Sequence, residues 1–380
     1  MDAALSVQLI LILTLSTVAV ALFQQLRLSP ILGYLTTGVL VGPSVLGWIP
    51  DSQTIQPLAE LGVVLLMFTI GLEFSLPRLL AAKQLVLGLG FAQVGLTALL
   101  FAAAGGWWWD LSPGEAFIVG GALAMSSTAI VLKQLGEQME LQTHHGRVAT
   151  GILLFQDLAT VPMLVVLPVL AADPARLAGQ LSLALAKAAL VFGGLVLIGR
   201  WLLPSLLHWV ASKRSLELFM LVALLLAVSA AALTGLVGLS PTLGAFMAGM
   251  LLGETLFRHQ IEADIRPFRD LMLGLFFATI GMQLDMSVLF RAPLALGLIL
   301  LLLLPGKAVI LVPLVRLFGL SGPVAQRASL TLAQGGEFGL LLVSSALALD
   351  VLEPPLAQPL LGELSSVWRS RRCCCDMATF

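Results

Sequence analysis

Two charged residues, Asp157 and Lys307, lie inside long apolar stretches of this sequence. Asp157 follows Arg147 by ten residues, which on a helix is a rise of about 15 Å. Lys307 precedes Arg316 by nine residues, a rise of about 13 Å. Charges at such a depth in a bilayer are costly and usually functional, and each needs an opposite charge or a bound ion. We therefore expect them to pair or to bind an ion, the alternative being a purely structural ion pair.

Two groups of polar and glycine residues interrupt apolar stretches at a similar depth: Ser126, Ser127 and Thr128, and then Gln334, Gly335 and Gly336. Broken helices expose carbonyl and N–H dipoles that can hold an ion. Serines in membrane helices more often connect neighbouring helices, so either group alone is weak evidence. Glu337 follows the second break, and it either tunes the site or caps the half-helix.

The composition indicates that a bilayer is the solvent of this chain. Of its 380 residues, 59% are hydrophobic and 11% are charged, whereas soluble proteins carry roughly 25% charge. The net charge of -1 gives no indication of a nucleic-acid partner. Stretches of about 20 apolar residues predict an all-α polytopic membrane protein of twelve spans: 5–23, 29–49, 55–75, 84–106, 115–135, 147–171, 180–205, 216–235, 239–256, 268–287, 292–318 and 326–349.

Basic residues predict the orientation of these spans. With the N-terminus outside, thirteen Arg and Lys residues fall at inside ends and loops, and only Arg176 and Arg291 fall outside. Such an excess is typical of the cytoplasmic side. We expect an inner-membrane protein with its N-terminus outside, in which Lys187 extends towards the outer interface. His144 and His145 are expected to be solvated residues of an inside loop, and a pH sensor is the less favoured alternative.

Three pairs of segments match in order at a nearly constant offset: 29–33 with 240–244, 69–71 with 279–281, and 123–124 with 332–333. Each pair is seven predicted spans apart, and an odd number inverts the second copy. Inverted repeats are typical of secondary transporters, with a site near the midplane between the copies. We therefore predict an inverted-repeat antiporter fold with discontinuous helices. Repeat one covers about 5–171, a linker span 180–205, and repeat two about 216–353.

Several kinds of chemistry have no motif in the sequence. It contains no G-x-x-x-x-G-K-[ST] segment and no G-x-G-x-x-G segment ahead of a helix, so we expect no cofactor and an ion gradient as the energy source. Cys373, Cys374 and Cys375 are contiguous and lack the spacing of a zinc site. A nucleophile–base constellation is also missing, so we do not expect an enzyme.

The segments 146–157, 124–130 and 334–338, with their Phe-Gln-Asp, Ser-Ser-Thr and Gln-Gly-Gly-Glu-Phe sequences, resemble the membrane domain of glutathione-gated potassium-efflux (Kef-type) systems. These are monovalent cation:proton antiporters, and the resemblance covers about 1–353. It implies a homodimer in which a dimerisation half and a core half move past each other. It also implies that Asp157 is the ion- and proton-binding aspartate, Gln156 its polar neighbour and Lys307 the lysine of the opposite span.

The inside loop 259–268 resembles the acidic gating loop of that family, which contacts a cytosolic nucleotide-binding domain. Glu262 and Asp264 match its pattern, and Arg266 stands where an acid is common. An ordinary solvated loop is an equally open interpretation.

The chain departs from the family after 353. Kef-type proteins continue with a further span and a soluble regulatory domain, whereas 354–380 becomes a basic, cysteine-containing tail. We expect a frameshifted or truncated reading frame without the regulatory nucleotide-binding domain, for which a separate subunit could substitute. The repeat copy of the Asp157 helix, expected near residue 366, would be lost.

These residues favour alternating access around one site. Deprotonated Asp157 binds K+ or Na+ with help from Thr128, Ser127 and carbonyls near Gly335, and protonation expels the cation. Lys307 compensates the charge of the empty site. Two alternatives stay open: a gated, channel-like potassium-efflux path in which Asp157 is a selectivity element, and a membrane sensor or subunit that does not transport. The sequence does not distinguish K+ from Na+.

Overall fold

A computed structural model describes residues 3–26, 29–49, 55–73, 83–170, 177–213, 215–287 and 305–366, and the regular elements in these ranges are helices. The helices are α1 (Ala3–Gln25), α2 (Pro30–Val41), α3 (Gln56–Glu73), α4 (Phe91–Trp109), α5 (Pro113–Ala124), α6 (Thr128–Glu137), α7 (His144–Leu170), α8 (Leu177–Ser212), α9 (Leu216–Leu236), α10 (Pro241–Gly253), α11 (Arg258–Gln283), α12 (Lys307–Leu317), α13 (Gly322–Leu332), α14 (Glu337–Ala348) and α15 (Pro354–Ser366). A π-helical segment, Gln84–Gly90, leads directly into α4.

Several of these helices suit a membrane. Within the described ranges, five stretches are long and apolar enough to cross a bilayer, in α1, α3, the π-helical segment with α4, α7 and α9, and the bent pair α13–α14 makes a sixth if it counts as one span. Large apolar side chains are exposed, among them Trp107 at 86%, Trp201 at 80% and Leu236 at 84%, which suits a lipid surrounding. The count of twelve spans stays a prediction, and much of the predicted span 292–318 lies outside the described residues.

The chain forms two compact units. Unit one contains Met1–Asp51, Ala81–Met163 and Ile280–Phe380, and unit two contains Ser52–Leu80 and Leu164–Thr279. Each unit therefore takes segments from both predicted repeats, so the repeats are interleaved and neither one coincides with a unit.

In unit two, α3 packs closely against α10. A Cβ atom added to Gly71 would lie 2.2 Å from the carbonyl oxygen of Phe246, and one added to Gly249 would lie 2.0 Å from that of Phe68. Contacts this short leave no room for a side chain. The two helices therefore approach backbone to backbone, as small residues allow in membrane proteins.

In unit one, the end of α11 packs against α2 in the same manner. A Cβ atom added to Gly281 would lie 2.2 Å from the carbonyl oxygen of Leu35. Gly281 is the repeat counterpart of Gly71 at an offset of 210, and Leu35 is that of Phe246 at 211. Equivalent residues thus form equivalent close contacts in the two units, which supports the repeat predicted from the sequence.

Replacement of Gly71 tests this close contact. We expect Gly71→Ala to destabilise the protein by about 1–3 kcal/mol, because the new methyl group forces α3 and α10 apart. The matched control is Gly95→Ala on α4, where an added Cβ meets no atom within 4 Å beyond its neighbours and the nearby backbone of its own helix, and where alanine should be neutral or slightly stabilising. Thermal unfolding of the purified proteins in detergent measures both. Equal unfolding temperatures for the two variants would contradict the backbone contact.

The predicted gating loop is a helix in the structure. Glu262, Asp264 and Arg266 lie in the first turns of α11, where Ile261 and Ile265 are completely buried. Glu262 accepts a hydrogen bond of 3.1 Å from Arg266 at the four-residue spacing, a pair that favours helix. The loop prediction was wrong because charged residues and Pro267 are typical of loops. The two buried isoleucines, four residues apart, instead form one packed face of a helix. Burial raises the pKa of the Asp264 carboxyl.

The structure contains a helix, α15, in the region that the sequence analysis assigned to the tail. It begins 210 residues after the start of α7, so it lies where the repeat places the counterpart of α7. Gln358 holds it to the end of α11, because its Nε2 donates to the carbonyl of Gln283 at 2.6 Å and its Oε1 accepts from the N–H of Asp285 at 2.8 Å. The first part of the expected counterpart is thus present as a helix to Ser366, whereas the position equivalent to Asp157 and the residues after it lie outside the described residues. The three contiguous cysteines lie outside the described residues.

Candidate functional site

Two broken helices meet in unit one. The first break separates α5 from α6, and the second separates α13 from α14, which are bent by 42°. A Cβ atom added to Gly336 would lie 2.5 Å from the carbonyl carbon and oxygen of Ser126. The extended segments therefore touch at a position where only glycine fits. The chain is broken at Ser126 and Ser127 and at Gln334, Gly335 and Gly336, as predicted, whereas Thr128 already belongs to α6.

The breaks bring four helix ends together. α5 and α13 end there with carbonyls, and α6 and α14 begin there with N–H groups, that have no partner within their own helix, so partial charges of both signs occur side by side. Ser127 is the N-cap of α6, and its Oγ accepts a hydrogen bond of 3.3 Å from the N–H of Ile130. Gly336 is the N-cap of α14, whose first residue, Glu337, is 9% exposed.

Lys307 connects the two breaks. Its side chain is completely buried, and its ammonium donates to the carbonyl of Met125 at 2.7 Å, to Ser126 Oγ at 2.9 Å and to the carbonyl of Gln334 at 3.2 Å. An ammonium group has three donors, and here each has an acceptor. Lys307 thus holds the negative ends of two helices, and its compensation of the charge of Asp157 stays a prediction.

Asp157 lies on α7, where its side chain is half-buried and accepts a hydrogen bond of 2.9 Å from Thr128 Oγ1. Thr128 is the first residue of α6, so the carboxylate lies at the positive end of a helix. An apolar cluster fixes this part of α7, with Val148, Ile152 and Leu153 among its buried members. The predicted partners Asp157 and Thr128 are therefore in contact.

Both polar atoms of the Gln156 side-chain amide are hydrogen-bonded to other groups of the protein. Gln156 is completely buried, its Oε1 accepts from the N–H of Ser126 at 2.7 Å, and its Nε2 donates to Gln93 Oε1 at 2.7 Å. The structure therefore makes Gln156 a support of the first break, and its predicted role as an ion-binding neighbour of Asp157 stays a prediction. The sequence analysis missed Gln93, although an amide within the apolar span 84–106 is a signal of the same kind as Gln156.

Two further predicted residues have defined contacts. Lys187 donates to the carbonyl of Val237 at 3.1 Å. His145 is only 7% exposed, and its Nε2 lies 2.9 Å from Glu140 Oε2. The prediction of a solvated His145 was wrong because Glu140, at the preceding turn, provides a partner that its local sequence does not reveal. His144 is exposed, as predicted.

A family model described as "Sodium/hydrogen exchanger, transmembrane" matches residues 10–362. The chain belongs to the transmembrane sodium/hydrogen exchanger family. The match includes both broken helices, Asp157 and Lys307, and it continues into α15. It also agrees with the predicted resemblance to antiporters and with an all-helical, multi-pass membrane protein.

The relatives of this chain include potassium-efflux proteins. It is 44% identical over 357 residues to the "Putative K(+) efflux antiporter KefB" of Alkalimonas amylolytica, which is 93% of this chain and 54% of the relative. It is 41% identical over 355 residues to "K(+) efflux antiporter 2, chloroplastic" of Arabidopsis thaliana, covering 91% and 30%. The "Glutathione-regulated potassium-efflux system protein" of Haemophilus influenzae is 38% identical over 349 residues, covering 91% and 56%. The chain thus spans about a third to just over half of the length of these relatives.

A solved structure has the same fold. The sodium proton antiporter MjNhaP1 of Methanocaldococcus jannaschii, determined at pH 8, superimposes with a TM-score of 0.71 at 14% identity, covering 99% of this chain and 97% of the other. At this identity, the likeness establishes the fold.

Proposed function

We propose that this chain exchanges a monovalent cation for protons across the membrane, and that Asp157 holds each of them in turn. The observation that carries the proposal is the half-buried carboxylate of Asp157, bound by Thr128 at the point where two broken helices meet. Membership of the exchanger family supports it. Relatives named as K(+) efflux antiporters favour K+ over Na+ as the cation.

The site provides the competition that exchange needs. Ionised Asp157 and the hydroxyl of Thr128 offer oxygen ligands to an alkali cation, and a proton on the carboxylate removes the charge that holds the cation. The carbonyls of Met125 and Gln334, one at each break, both accept hydrogen bonds from the ammonium of Lys307. Lys307 thus keeps the two helix ends in place. Because only one occupant fits the carboxylate at a time, movement of the site between the two sides couples the cation to the proton.

We also propose an orientation in the membrane and partners for this protein. The excess of basic residues in alternate loops supports an N-terminus outside a bacterial inner membrane. We propose a homodimer, with a regulatory subunit as an additional partner, on the basis of the resemblance to Kef-type systems. Glu262, Asp264 and Arg266 on the first turns of α11 would then face the cytoplasm, where such a subunit could bind.

Reconstitution tests the exchange directly. The purified chain is placed in liposomes that contain a pH-sensitive dye, and K+ or Na+ is added outside. Exchange predicts that the lumen becomes alkaline in the absence of a protonophore, as protons leave when the cation enters. A channel would give this signal only after a protonophore is added, and a sensor or subunit would give the signal of empty liposomes in both conditions. Either of the last two results would contradict the proposal.

The hydroxyl of Thr128 should affect cation affinity more than the maximal rate. We expect Thr128→Val to raise the half-saturating cation concentration about tenfold, because the carboxylate loses a donor that favours its charged form. For the same reason, protons compete better, and the pH of half-maximal exchange moves upward. Thr150→Val is the matched control, since Thr150 also lies in unit one but bonds only to the carbonyl of Gly146 in its own helix. Concentration and pH series in the liposome assay measure both, and a native affinity in Thr128→Val would exclude the role.

A further inference from the structure

A chain of buried polar side chains extends from the site to α4. Gln93, Gln156, Ser126 and Lys307 are each 0% exposed, and consecutive members are joined by hydrogen bonds. Lys307 and Ser126 belong to the breaks, and Gln156 precedes Asp157. Gln93 is 63 residues away from Gln156 along the chain and touches neither the carboxylate nor its partner Thr128 in the contacts described above.

The contacts of Gln93 fix the direction of its amide. Its Nε2 donates to the carbonyl of Ala124 at 3.2 Å and to Thr97 Oγ1 at 3.3 Å. Because an amide has its acceptor oxygen and its donor nitrogen on opposite sides, its Oε1 then points to Gln156 Nε2, 2.7 Å away. A rotated Gln93 would place nitrogen against nitrogen and oxygen against the carbonyl of Ala124.

The fixed amide of Gln93, at 2.7 Å, and the hydroxyl of Ser126, at 3.3 Å, both accept from Gln156 Nε2 and so orient the Gln156 amide. With its Nε2 on Gln93, Gln156 presents its Oε1 to the N–H of Ser126 at 2.7 Å. Ser126 lies in the first break and belongs to neither α5 nor α6, so its N–H makes no hydrogen bond within a helix. Two residues later, Thr128 donates to Asp157, the residue that follows Gln156. Neighbouring residues of α7 therefore hold both ends of the same three-residue segment.

We propose that Gln93 is a positioning residue for the ion site, which acts through Gln156 to hold the first break so that Thr128 faces Asp157. If Gln93 cannot accept, Gln156 Nε2 keeps only its longer bond of 3.3 Å to Ser126 Oγ, so the amide is held less firmly, and a rotated amide would set its Nε2 against the N–H of Ser126. The segment then loses the bond that fixes its direction, and Thr128 loses its alignment with the carboxylate. The effect on cation affinity rests on the proposed function, whereas the link between the two amides does not.

A double-mutant cycle tests the link. The variants are Gln93→Met, Gln156→Met and the double replacement, since methionine has a similar volume and cannot accept this bond. Thr37→Val is the control, because Thr37 is equally buried in unit one and bonds only to Gly33 in its own helix. Thermal unfolding of the purified proteins needs no transport. Because Gln93→Met also removes the bonds to Ala124 and Thr97, we expect the double variant to lose less than the sum of the two single losses, and fully additive losses would overturn the link.

The liposome assay tests the positioning role. Each single variant should raise the half-saturating K+ concentration about tenfold, with the maximal rate kept within about twofold, and the double variant should be no worse than either. Gln93→Glu retains an oxygen acceptor for Gln156 Nε2 in either protonation state, so its half-saturating concentration should stay within about twice the native one. Native affinity in Gln93→Met, or equal losses in Gln93→Glu and Gln93→Met, would overturn the positioning role. Lack of exchange by the native protein would instead overturn the proposed function, while the unfolding cycle would still decide the amide link.

Discussion

Asp157→Asn protein in liposomes should show no cation-dependent pH change above that of empty liposomes, a loss of at least about 100-fold. Asparagine has nearly the same shape, and its Oδ1 can still accept the hydrogen bond from Thr128. It cannot ionise, so it neither attracts the cation through a full charge nor releases a proton. The variant should therefore fold like the native protein and fail only in exchange.

The control for this replacement is Asp270→Asn. Asp270 lies on α11 with its side chain 57% exposed and bonded to Arg269, so its loss should leave exchange unchanged. Size-exclusion profiles and unfolding temperatures establish that both variants are folded. Cation-dependent exchange at the native rate in Asp157→Asn would show that another group carries the proton. Cation flux that persists without a pH change would favour the channel-like path.

Lys307→Met should have the second largest effect, and it should act on stability as well as on exchange. The replacement leaves the carbonyls of Met125 and Gln334 without their ammonium donor in a completely buried place, whereas the Ser126 hydroxyl still accepts from Gln156 Nε2. Each unsatisfied buried acceptor costs about 1–3 kcal/mol, so we expect a loss of about 3 kcal/mol or more. The apparent unfolding temperature should fall by about 5 °C or more, and exchange should be lost because the breaks no longer keep their geometry.

The same substitution at Lys187 is the matched control. Lys187 is half-buried and donates to one carbonyl, that of Val237 at 3.1 Å, so Lys187→Met should cost less than about 1 kcal/mol. Thermal unfolding in detergent and the liposome assay compare the two variants. Native unfolding temperature together with native exchange in Lys307→Met would contradict its role at the breaks.

Those parts of the site that produce a local sequence pattern could be predicted. A carboxylate in an apolar stretch, or serines and glycines that interrupt a helix, differ from their neighbours in polarity or backbone preference, and this revealed Asp157 and both breaks. The partners of Lys307 and Gln156 depend instead on contacts between residues far apart in the chain. Lys307 is 182 residues from Met125, and no pattern within one helix indicates that pairing.

The fold could be predicted to a similar extent. The offset between the matching segments revealed the repeats, because it is a property of the sequence alone. The division into units could not be predicted, since it depends on which glycine face approaches which backbone. The helical start of α11 was missed for a different reason. Its many charged residues are typical of a loop, and only the burial of Ile261 and Ile265 shows that one face of the segment is packed.

The interleaving of the repeats has a consequence for how such a chain could arise. α3 lies close to α10, and the face of α2 with Leu35 and Gly38 lies close to the end of α11, so both of these partners come from the second repeat. An ancestral polypeptide with a single repeat would have left these glycine faces uncovered. Its smallest stable form would have been a pair of identical chains in opposite orientations, and gene duplication followed by fusion would have made that pairing permanent.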